Sequence, residues 1–300
     1  MQANTYWKSN SLLLLTALIW GFSFVAQRLG MVYLQPFTFN GVRFTVGTLS
    51  LLPVVFFLRT KQKKEHRAPL LSKTGIFGGF ALGGALFLGA SLQQTGILYT
   101  TAGKAGFITG LYVIMVPLLG LFWKQQTNWS IWVGALLAAA GMFLLSVTES
   151  FSIGKGDLLV LGSALFWAVH VQLIARFSKR YDVLLLSLYQ FIFCALLSFG
   201  VAINIEEIVF QNILAAKLPI FVTGVLSVGV AYTLQTVAQK NANPAHAAIL
   251  LSLESVFAAF GGWLFLNELL SLRAFAGCML MLTGMLFSQI FTGKRNHALL

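Results

Sequence analysis

The feature that most constrains this chain is a succession of ten long apolar runs, which polar residues interrupt only briefly. Each run approaches the roughly 20 residues that a helix needs to cross a hydrocarbon core. The whole sequence is 58% apolar and 9% charged, which leaves too little polar surface to cover a water-soluble particle of 300 residues. The sequence therefore predicts an all-α integral membrane protein, with transmembrane helices at 10–27, 37–58, 74–98, 104–123, 129–147, 156–176, 184–203, 218–239, 245–266 and 272–291.

The distribution of basic residues predicts the orientation, because short loops rich in lysine and arginine stay in the cytoplasm. If the N-terminus is inside, the inner segments hold fourteen basic residues and the outer segments hold five. The fourteen are Lys8, Arg59, Lys61, Lys63, Lys64, Arg67, Lys73, Lys124, Arg176, Lys179, Arg180, Lys240, Lys294 and Arg295. The five are Arg28, Lys104, Lys155, Lys217 and Arg273. We therefore expect a multi-pass protein of the inner membrane with both termini in the cytoplasm.

Charge and composition argue against several classes of protein. The net charge of +12 is spread over short gaps between apolar runs and forms no long basic face, so no nucleic-acid partner is predicted. Cys194 and Cys278 lie inside apolar runs and indicate neither a disulfide framework nor a metal site. The four histidines are scattered and no phosphate-binding glycine loop occurs, so we expect no enzyme activity, no cofactor and no ATP site.

The two halves of the chain, 1–150 and 151–300, show weak internal similarity. A shift of 147 residues places Leu12 on Leu159, Ala17 on Ala164 and Trp20 on Trp167, and a shift of 142 places Leu111 on Leu253. Because each half holds five spans, an odd number, the second copy must cross the membrane in the opposite direction. Inverted repeats of this kind are typical of transporters, which place one shared site near the midplane. The sequence therefore predicts two inverted five-helix repeats.

Several motifs make the chain resemble the drug/metabolite transporter superfamily and, within it, the EamA-type exporters. They are LIWGFSF at 18–24, Pro117, the stretch LESVFAAFGGWLFLNE at 253–268, Gly277 and Gly284. The resemblance covers nearly the whole chain and implies ten helices, cytoplasmic termini and a central cavity formed by helices one to four and six to nine. It also implies that the fifth and tenth helices are peripheral. Gln126 replaces the acidic residue that corresponds to Glu268, and Tyr112 stands where the second half has Glu254, so symmetrical sites are not expected.

Three ionisable residues lie well inside predicted spans, where a charge costs several kcal/mol unless it faces a protein interior or a wet cavity. Arg43 offers a fork of donors for a carboxylate or phosphate. Alternatively it forms a structural pair with a carbonyl or with Glu254, or its side chain extends to the membrane interface. Glu254 could bind an amine, pair with Arg43 or take up a proton. His170 lies one turn after Trp167 and is either a second proton-coupling candidate or a structural donor.

Further candidates for substrate binding are neutral. Trp20 and Trp167 occupy matching places in the two halves and could stack on a substrate or fill volume. Asn40 lies one turn before Arg43 on the same helical face. The remaining candidates offer hydrogen bonds to a substrate or between helices, and are Gln94, Tyr112, Gln190 and Tyr232, with Gln93 and Gln235 as additional neutral groups.

These features predict a secondary transporter that exports amino acids or related small organic metabolites by alternating access. Coupling to protons through Glu254 or His170 and simple downhill facilitation remain alternatives. The lone deep cation Arg43 motivates a second hypothesis, a transporter of nucleotide conjugates or other anionic metabolites. A third is a non-transporting membrane subunit in lipid translocation. The expected partners are a small-molecule substrate and the lipid bilayer, with protons as a further candidate, and the protein is expected to be a monomer or homodimer.

Overall fold

The computed structural model describes residues 2–61, 69, 72–100, 102–125, 127–146, 154–266 and 271–298, and this part of the chain contains helices but no β-strand. The helices of the first half are α1 (Gln2–Gly30), α2 (Pro36–Lys61), α3 (Lys73–Ile97), α4 (Ala102–Gly110), α5 (Tyr112–Phe122) and α6 (Trp129–Ser146). Those of the second half are α7 (Lys155–Phe177), α8 (Val183–Ile205), α9 (Phe210–Ala215), α10 (Lys217–Phe221), a π-helix (Val222–Tyr232), α11 (Thr233–Gln239), α12 (Pro244–Leu251), α13 (Glu254–Leu266) and α14 (Leu272–Ala298).

Within the described residues, eight helical segments are long and apolar enough to cross a membrane. They are Tyr6–Gly30, Pro36–Lys61, Lys73–Ile97, Ala105–Phe122, Lys155–Phe177, Val183–Ile205, Lys217–Gln239 and Pro244–Phe265. Two shorter apolar helices, Trp129–Leu144 and Leu272–Ser288, correspond to the fifth and tenth predicted spans. The all-α membrane class is confirmed, whereas a total of ten crossings stays a prediction. Gln126, Glu268, Lys63, Lys64 and Arg67 lie outside the described residues.

Contacts between helix ends show which ends lie at the same face of the helix bundle. Glu206, directly after α8, accepts hydrogen bonds from the backbone N–H groups of Phe37 (2.8 Å) and Thr38 (2.6 Å) at the start of α2. The hydroxyl of Tyr6 in α1 lies 3.4 Å from Nε2 of His246 near the start of α12. We call the side on which α1 begins the N-terminal face and the other side the opposite face. The start of α12 therefore lies at the N-terminal face, and the end of α8 lies at the opposite face.

Three spans have irregular backbone near their middle. The fourth is interrupted at Leu111 between α4 and α5, and the ninth at 252–253 between α12 and α13. The eighth contains the π-helix, whose longer hydrogen-bonded turns are frequent at functional sites. Irregular backbone at membrane depth is tolerated where it is buried in protein or lines a cavity. Each irregular segment borders a predicted site residue, because Tyr112 begins α5, Glu254 begins α13 and Tyr232 ends the π-helix.

Glycines allow the closest helix pairs to approach. In the pair of α6 and α14, a Cβ added to Gly134 would lie 2.9 Å from the carbonyl oxygen of Gly284, and the reverse distance is 2.7 Å. Such backbone contact is a common way to pack helices in lipid, where apolar surface alone provides little attraction between them. The fifth and tenth apolar helices therefore pack tightly against each other.

Gly83 and Gly84 in α3 provide a matched test of this packing. A Cβ on Gly83 would lie 2.6 Å from Cβ of Phe193 and 2.9 Å from the carbonyl oxygen of Gln190, both in α8, whereas a Cβ on Gly84 meets nothing within 4 Å. We expect Gly83→Ala to lower the free energy of unfolding by about 1–3 kcal/mol through overpacking. Gly84→Ala should be neutral or stabilising by up to about 1 kcal/mol, because alanine favours the helix. Thermal unfolding of the two purified variants in detergent measures the difference, and equal melting temperatures would contradict the close α3–α8 contact.

Candidate functional site

A small buried pocket lies where the irregular segments meet. Its walls come from α1, α2, α3, α4, α5, α7, the π-helix, α11, α12 and α13. The lining residues are Trp20, Phe24, Gln27, Arg43, Gln93, Thr109, Tyr112, Trp167, Val171, Ser227, Tyr232, Gln235, Leu251 and Glu254. All of them except Trp20 are buried. Among the described residues α8 contributes no lining side chain, so the pocket draws on seven of the eight spans that the family resemblance implied.

The structure brings six of the ten predicted site residues into this pocket: Trp20, Arg43, Tyr112, Trp167, Tyr232 and Glu254. The other four are buried behind its wall. Neither amide atom of Asn40 has a hydrogen-bond partner within the described part of the chain. Gln94 donates to the backbone carbonyl of Gln27 at 3.4 Å, and His170 Nε2 lies 2.8 Å from Oε1 of Gln190. Asn40, Gln94, His170 and Gln190 therefore do not line this pocket.

Arg43 is a nearly isolated cation. Its side chain is 2% exposed, and its guanidinium carbon lies 5.6 Å and 5.1 Å from the ring centroids of Phe39 and Phe44. These cation–π contacts compensate only part of the cost of removing the charge from water. Within the described residues Arg43 makes no ion pair, and its Nε has no hydrogen-bond partner. The guanidinium therefore keeps donors for an anionic group that enters the pocket.

Glu254 supplies the opposite charge. It is 4% exposed at the start of α13 and lies beside the phenol of Tyr112, although not at standard hydrogen-bond geometry. Tyr232 is within electrostatic range of both Glu254 and Arg43, and all three side chains line the pocket. A ligand with a cationic and an anionic group could contact both.

Three aromatic rings form one wall of the pocket. The ring centroid of Tyr232 lies 4.6 Å from that of Trp20 and 6.0 Å from that of Trp167, and the second pair is stacked at 22°. The indole of Trp167 is fixed by a 2.7 Å hydrogen bond from Nε1 to Oε1 of Gln93, and that of Trp20 by a 3.4 Å bond to the carbonyl of Ser227. Such a wall offers flat apolar surface to a side chain and electron-rich faces to a cation.

His170 supports this wall from behind. Its ring meets the rings of Trp167 and Tyr232 edge to face, with centroids 6.0 Å and 6.1 Å away. Its Nδ1 has no partner in the part of the chain that the structure describes. His170 is therefore placed to hold the aromatic wall rather than to contact a ligand directly.

Sequence reasoning missed several lining residues, namely Phe24, Gln27, Thr109, Val171, Ser227 and Leu251. Helical spacing is a signal that could have found some of them. Gln27 lies two turns after Trp20, and Thr109 lies three residues before Tyr112. In the described residues no group of three or more histidine, cysteine, aspartate or glutamate side chains could hold a metal ion. The arrangement can bind a small molecule that carries both charges and an apolar body.

Comparison with known proteins gives one family. The model of the EamA-like transporter family matches the chain twice, at residues 7–147 and 154–289. An uncharacterized transporter of Archaeoglobus fulgidus is 33% identical over 279 residues, which cover 93% of this chain and 84% of the relative. The uncharacterized transporter YoaV of Bacillus subtilis is 23% identical over 93% of this chain and 95% of its own length.

A chain of known crystal structure has a similar fold. Its TM-score is 0.75, over 95% of this chain and 98% of the other, at 18% sequence identity. A likeness at this identity concerns the arrangement of the helices alone.

Proposed function

Because this chain belongs to the EamA-like transporter family, a family of membrane transporters rather than enzymes, we propose that it exports amino acids or related zwitterionic metabolites as a secondary transporter. The observation that carries the proposal is the pair of opposite charges, Arg43 and Glu254, in one buried pocket with an aromatic wall. Within the described residues the two charges are not joined in an ion pair. Each is thus left to contact a group of the substrate.

The chemistry of the pocket suits a small zwitterion. The carboxylate of an amino acid would accept hydrogen bonds from Arg43, its ammonium group would contact Glu254, and its side chain would pack against Trp20 and Trp167. A substrate with a single charge would leave one of the two buried ions unpaired, which is costly in a desolvated site.

Internal symmetry supports transport by alternating access. The family model matches both halves of the chain, and the helix contacts follow the same scheme in each. Thus α3 packs against α7 and α8, while the π-helix, which belongs to the corresponding span of the second half, packs against α1 and α2. The interruptions at Leu111 and Leu253 also coincide under the 142-residue shift. We infer two inverted five-helix halves, 1–150 and 151–300, that expose the pocket to each side in turn.

The positions of the basic residues and of Glu254 support an orientation in the membrane and a route for proton coupling. Arg176, Lys179, Arg180 and Lys240 lie at the N-terminal face, and this supports a cytoplasmic location of that face in the inner membrane. Glu254 lines the pocket, whereas His170 does not, so Glu254 is the better candidate for proton coupling.

A second candidate is a carrier of anionic metabolites such as nucleotide conjugates. It is favoured by the unpaired guanidinium of Arg43. Glu254 in the same pocket would repel a second negative group, and Arg43 is the one cation among the described lining residues. These two facts favour a zwitterion over an anion.

Competition in proteoliposomes tests the proposal. We expect the purified protein to exchange radiolabelled amino acids, and unlabelled amino acids to compete at least about tenfold better than analogues that lack either the amine or the carboxylate. Protein-free liposomes provide the background. Competition by the amine-free acids as strong as that by the amino acids would favour the anionic candidate instead. Absence of exchange for every amino acid tested would contradict the proposal.

A further inference from the structure

A second cavity, of about 750 Å³, opens at the N-terminal face, and we call it the N-terminal-face cavity. It lies where the ends of α5 and α7 meet the turn between α11 and α12. Its lining residues are Trp123, Gln125, Gln172, Leu173, Ala175, Arg176, Lys179, Arg180, Lys240, Asn241, Ala242, Asn243 and Pro244.

The charge of this cavity is one-sided. Arg176, Lys179, Arg180 and Lys240 are all exposed, and none of their side chains makes an ion pair or hydrogen bond with a described residue. The described lining residues include no aspartate or glutamate. Several cations with unused donors around one concave surface raise the local concentration of anions and can bind a carboxylate or phosphate.

The N-terminal-face cavity and the buried pocket lie in line along the same helices. On α7, Val171 lines the pocket and the next residue, Gln172, lines the cavity. On the eighth span Gln235 lines the pocket, and Lys240, about a turn and a half further along, lines the cavity. The two spaces are therefore separated by a thin layer of protein.

Glutamine side chains form this layer. Gln172 donates to the backbone carbonyl of Val116 at 2.7 Å and accepts from Gln125 at 2.8 Å, which ties α7 to α5. Gln239 donates to the carbonyl of Val171 at 3.3 Å, which ties α11 to α7, and its own Oε1 has no partner among the described residues. Neutral hydrogen bonds therefore tie α5, α7 and α11 together between the two spaces.

We propose that the N-terminal-face cavity is a second ligand site, which binds the carboxylate or phosphate group of a soluble anion. Its use as the vestibule in which a substrate is captured before it passes the glutamine layer rests on the proposed function, whereas anion binding itself does not. A soluble ligand fits the cavity better than a lipid because most of the residues that line the cavity are polar.

Quenching of Trp123 fluorescence tests anion binding directly, since this indole lines the cavity and is 42% exposed. Purified full-length protein in detergent would be titrated with iodide, an anionic quencher, and with acrylamide, a neutral one. The difference between the wild type and Trp123→Phe isolates the signal of Trp123. We expect the double variant Arg176→Gln/Lys240→Gln to lower the iodide quenching constant of Trp123 by about threefold and to leave the acrylamide constant unchanged.

Lys61→Gln is the matched control. This lysine lies at the same face, with its ammonium over the ring of Phe57, but does not line the cavity. It should not change either constant. Inorganic phosphate should protect Trp123 from iodide better than chloride does at equal ionic strength. If phosphate and chloride protected Trp123 equally, or if Lys61→Gln lowered the iodide constant as much as the double variant does, general surface charge would explain the quenching. Either result would overturn the proposed anion site.

A final experiment distinguishes binding of a soluble anion from binding of a lipid headgroup. The titration would be repeated in nanodiscs of phosphatidylcholine with and without phosphatidylglycerol. A soluble ligand is supported if phosphatidylglycerol lowers the iodide quenching of Trp123 no more than that of the other tryptophans, because an anionic bilayer repels iodide from its whole surface. A loss of quenching confined to Trp123 would show that a lipid headgroup occupies the cavity and would overturn the proposal. These measurements involve no transport, so their failure leaves the function of the central pocket untouched.

Discussion

Replacing Arg43 by methionine will abolish transport of zwitterionic substrates and leave the protein at least as stable as the wild type. The guanidinium is buried, has no ion pair with a described residue and has an unpartnered Nε. Such a charge costs free energy in the substrate-free protein, and a well-packed apolar side chain of similar length removes that cost. Loss of a desolvated carboxylate–guanidinium pair in the complex should lower affinity by at least about thirtyfold.

Two measurements on the same preparation check this expectation: exchange of labelled amino acids in proteoliposomes and the melting temperature in detergent. Arg273→Met serves as the control, because Arg273 is exposed at the start of α14 and lies outside the pocket. It should keep normal exchange. If Arg43→Met melted well below the wild type, the arginine would be a structural element, and its assignment to the substrate would fail.

The second large effect is a change of preference on replacing Glu254 by glutamine. The variant loses the negative charge that faces the ammonium group but keeps the shape of the side chain. We expect affinity for amino acids to fall by at least about thirtyfold. Affinity for the corresponding acids without an amine should stay the same or rise, because their carboxylate no longer meets a like charge.

Competition curves for both ligand classes measure this change. Glu207→Gln is the control, since Glu207 is exposed in the segment after α8 and lies away from the pocket. It should behave like the wild type. If Glu254→Gln weakened amino acids and amine-free acids by the same factor, Glu254 would act on the packing of the pocket and not on the ammonium group.

The spans and the charged pocket residues could be predicted from the sequence because lipid imposes strong constraints. A helix that crosses the bilayer must be apolar along about 20 residues, and this predicted most helix ends to within a few residues. The exceptions are α1, which begins eight residues before the predicted start, and α14, which ends seven residues after the predicted end. A charge inside such a helix is costly, and this singled out Arg43, His170 and Glu254, of which the structure places Arg43 and Glu254 in one pocket.

The orientation of individual side chains was not predictable in the same way. The outer surface of a membrane helix is as apolar as its packed surface, so there is no polar stripe to indicate which side faces a cavity. Gln93 lines the pocket and its neighbour Gln94 does not, although sequence gives both the same chemistry. Asn40 shares the helical spacing of Arg43 but is buried behind the wall.

The irregular backbone was also beyond sequence reasoning. The π-helix at Val222–Tyr232 contains no proline, and Leu111, where the fourth span is interrupted, is an apolar residue. Their hydrogen bonds are set by packing against neighbouring spans rather than by local preference. The sequence could therefore place Tyr232 in a helix. It could not show that this helix has the wider turns of a π-helix where it lines the pocket.

The most direct test of the central claim, that the buried pocket is the substrate site of a carrier, is the accessibility of a cysteine placed within it. Thr109 lines the pocket and is 3% exposed, and Thr109→Cys would be made in a protein whose Cys194 and Cys278 are replaced by alanine. In membrane vesicles of the two orientations, we predict that a membrane-impermeant thiol reagent reaches this cysteine from each side, and that a transported amino acid slows the labelling. Labelling from neither side in an actively transporting protein, or labelling that the amino acid does not change, would contradict the account.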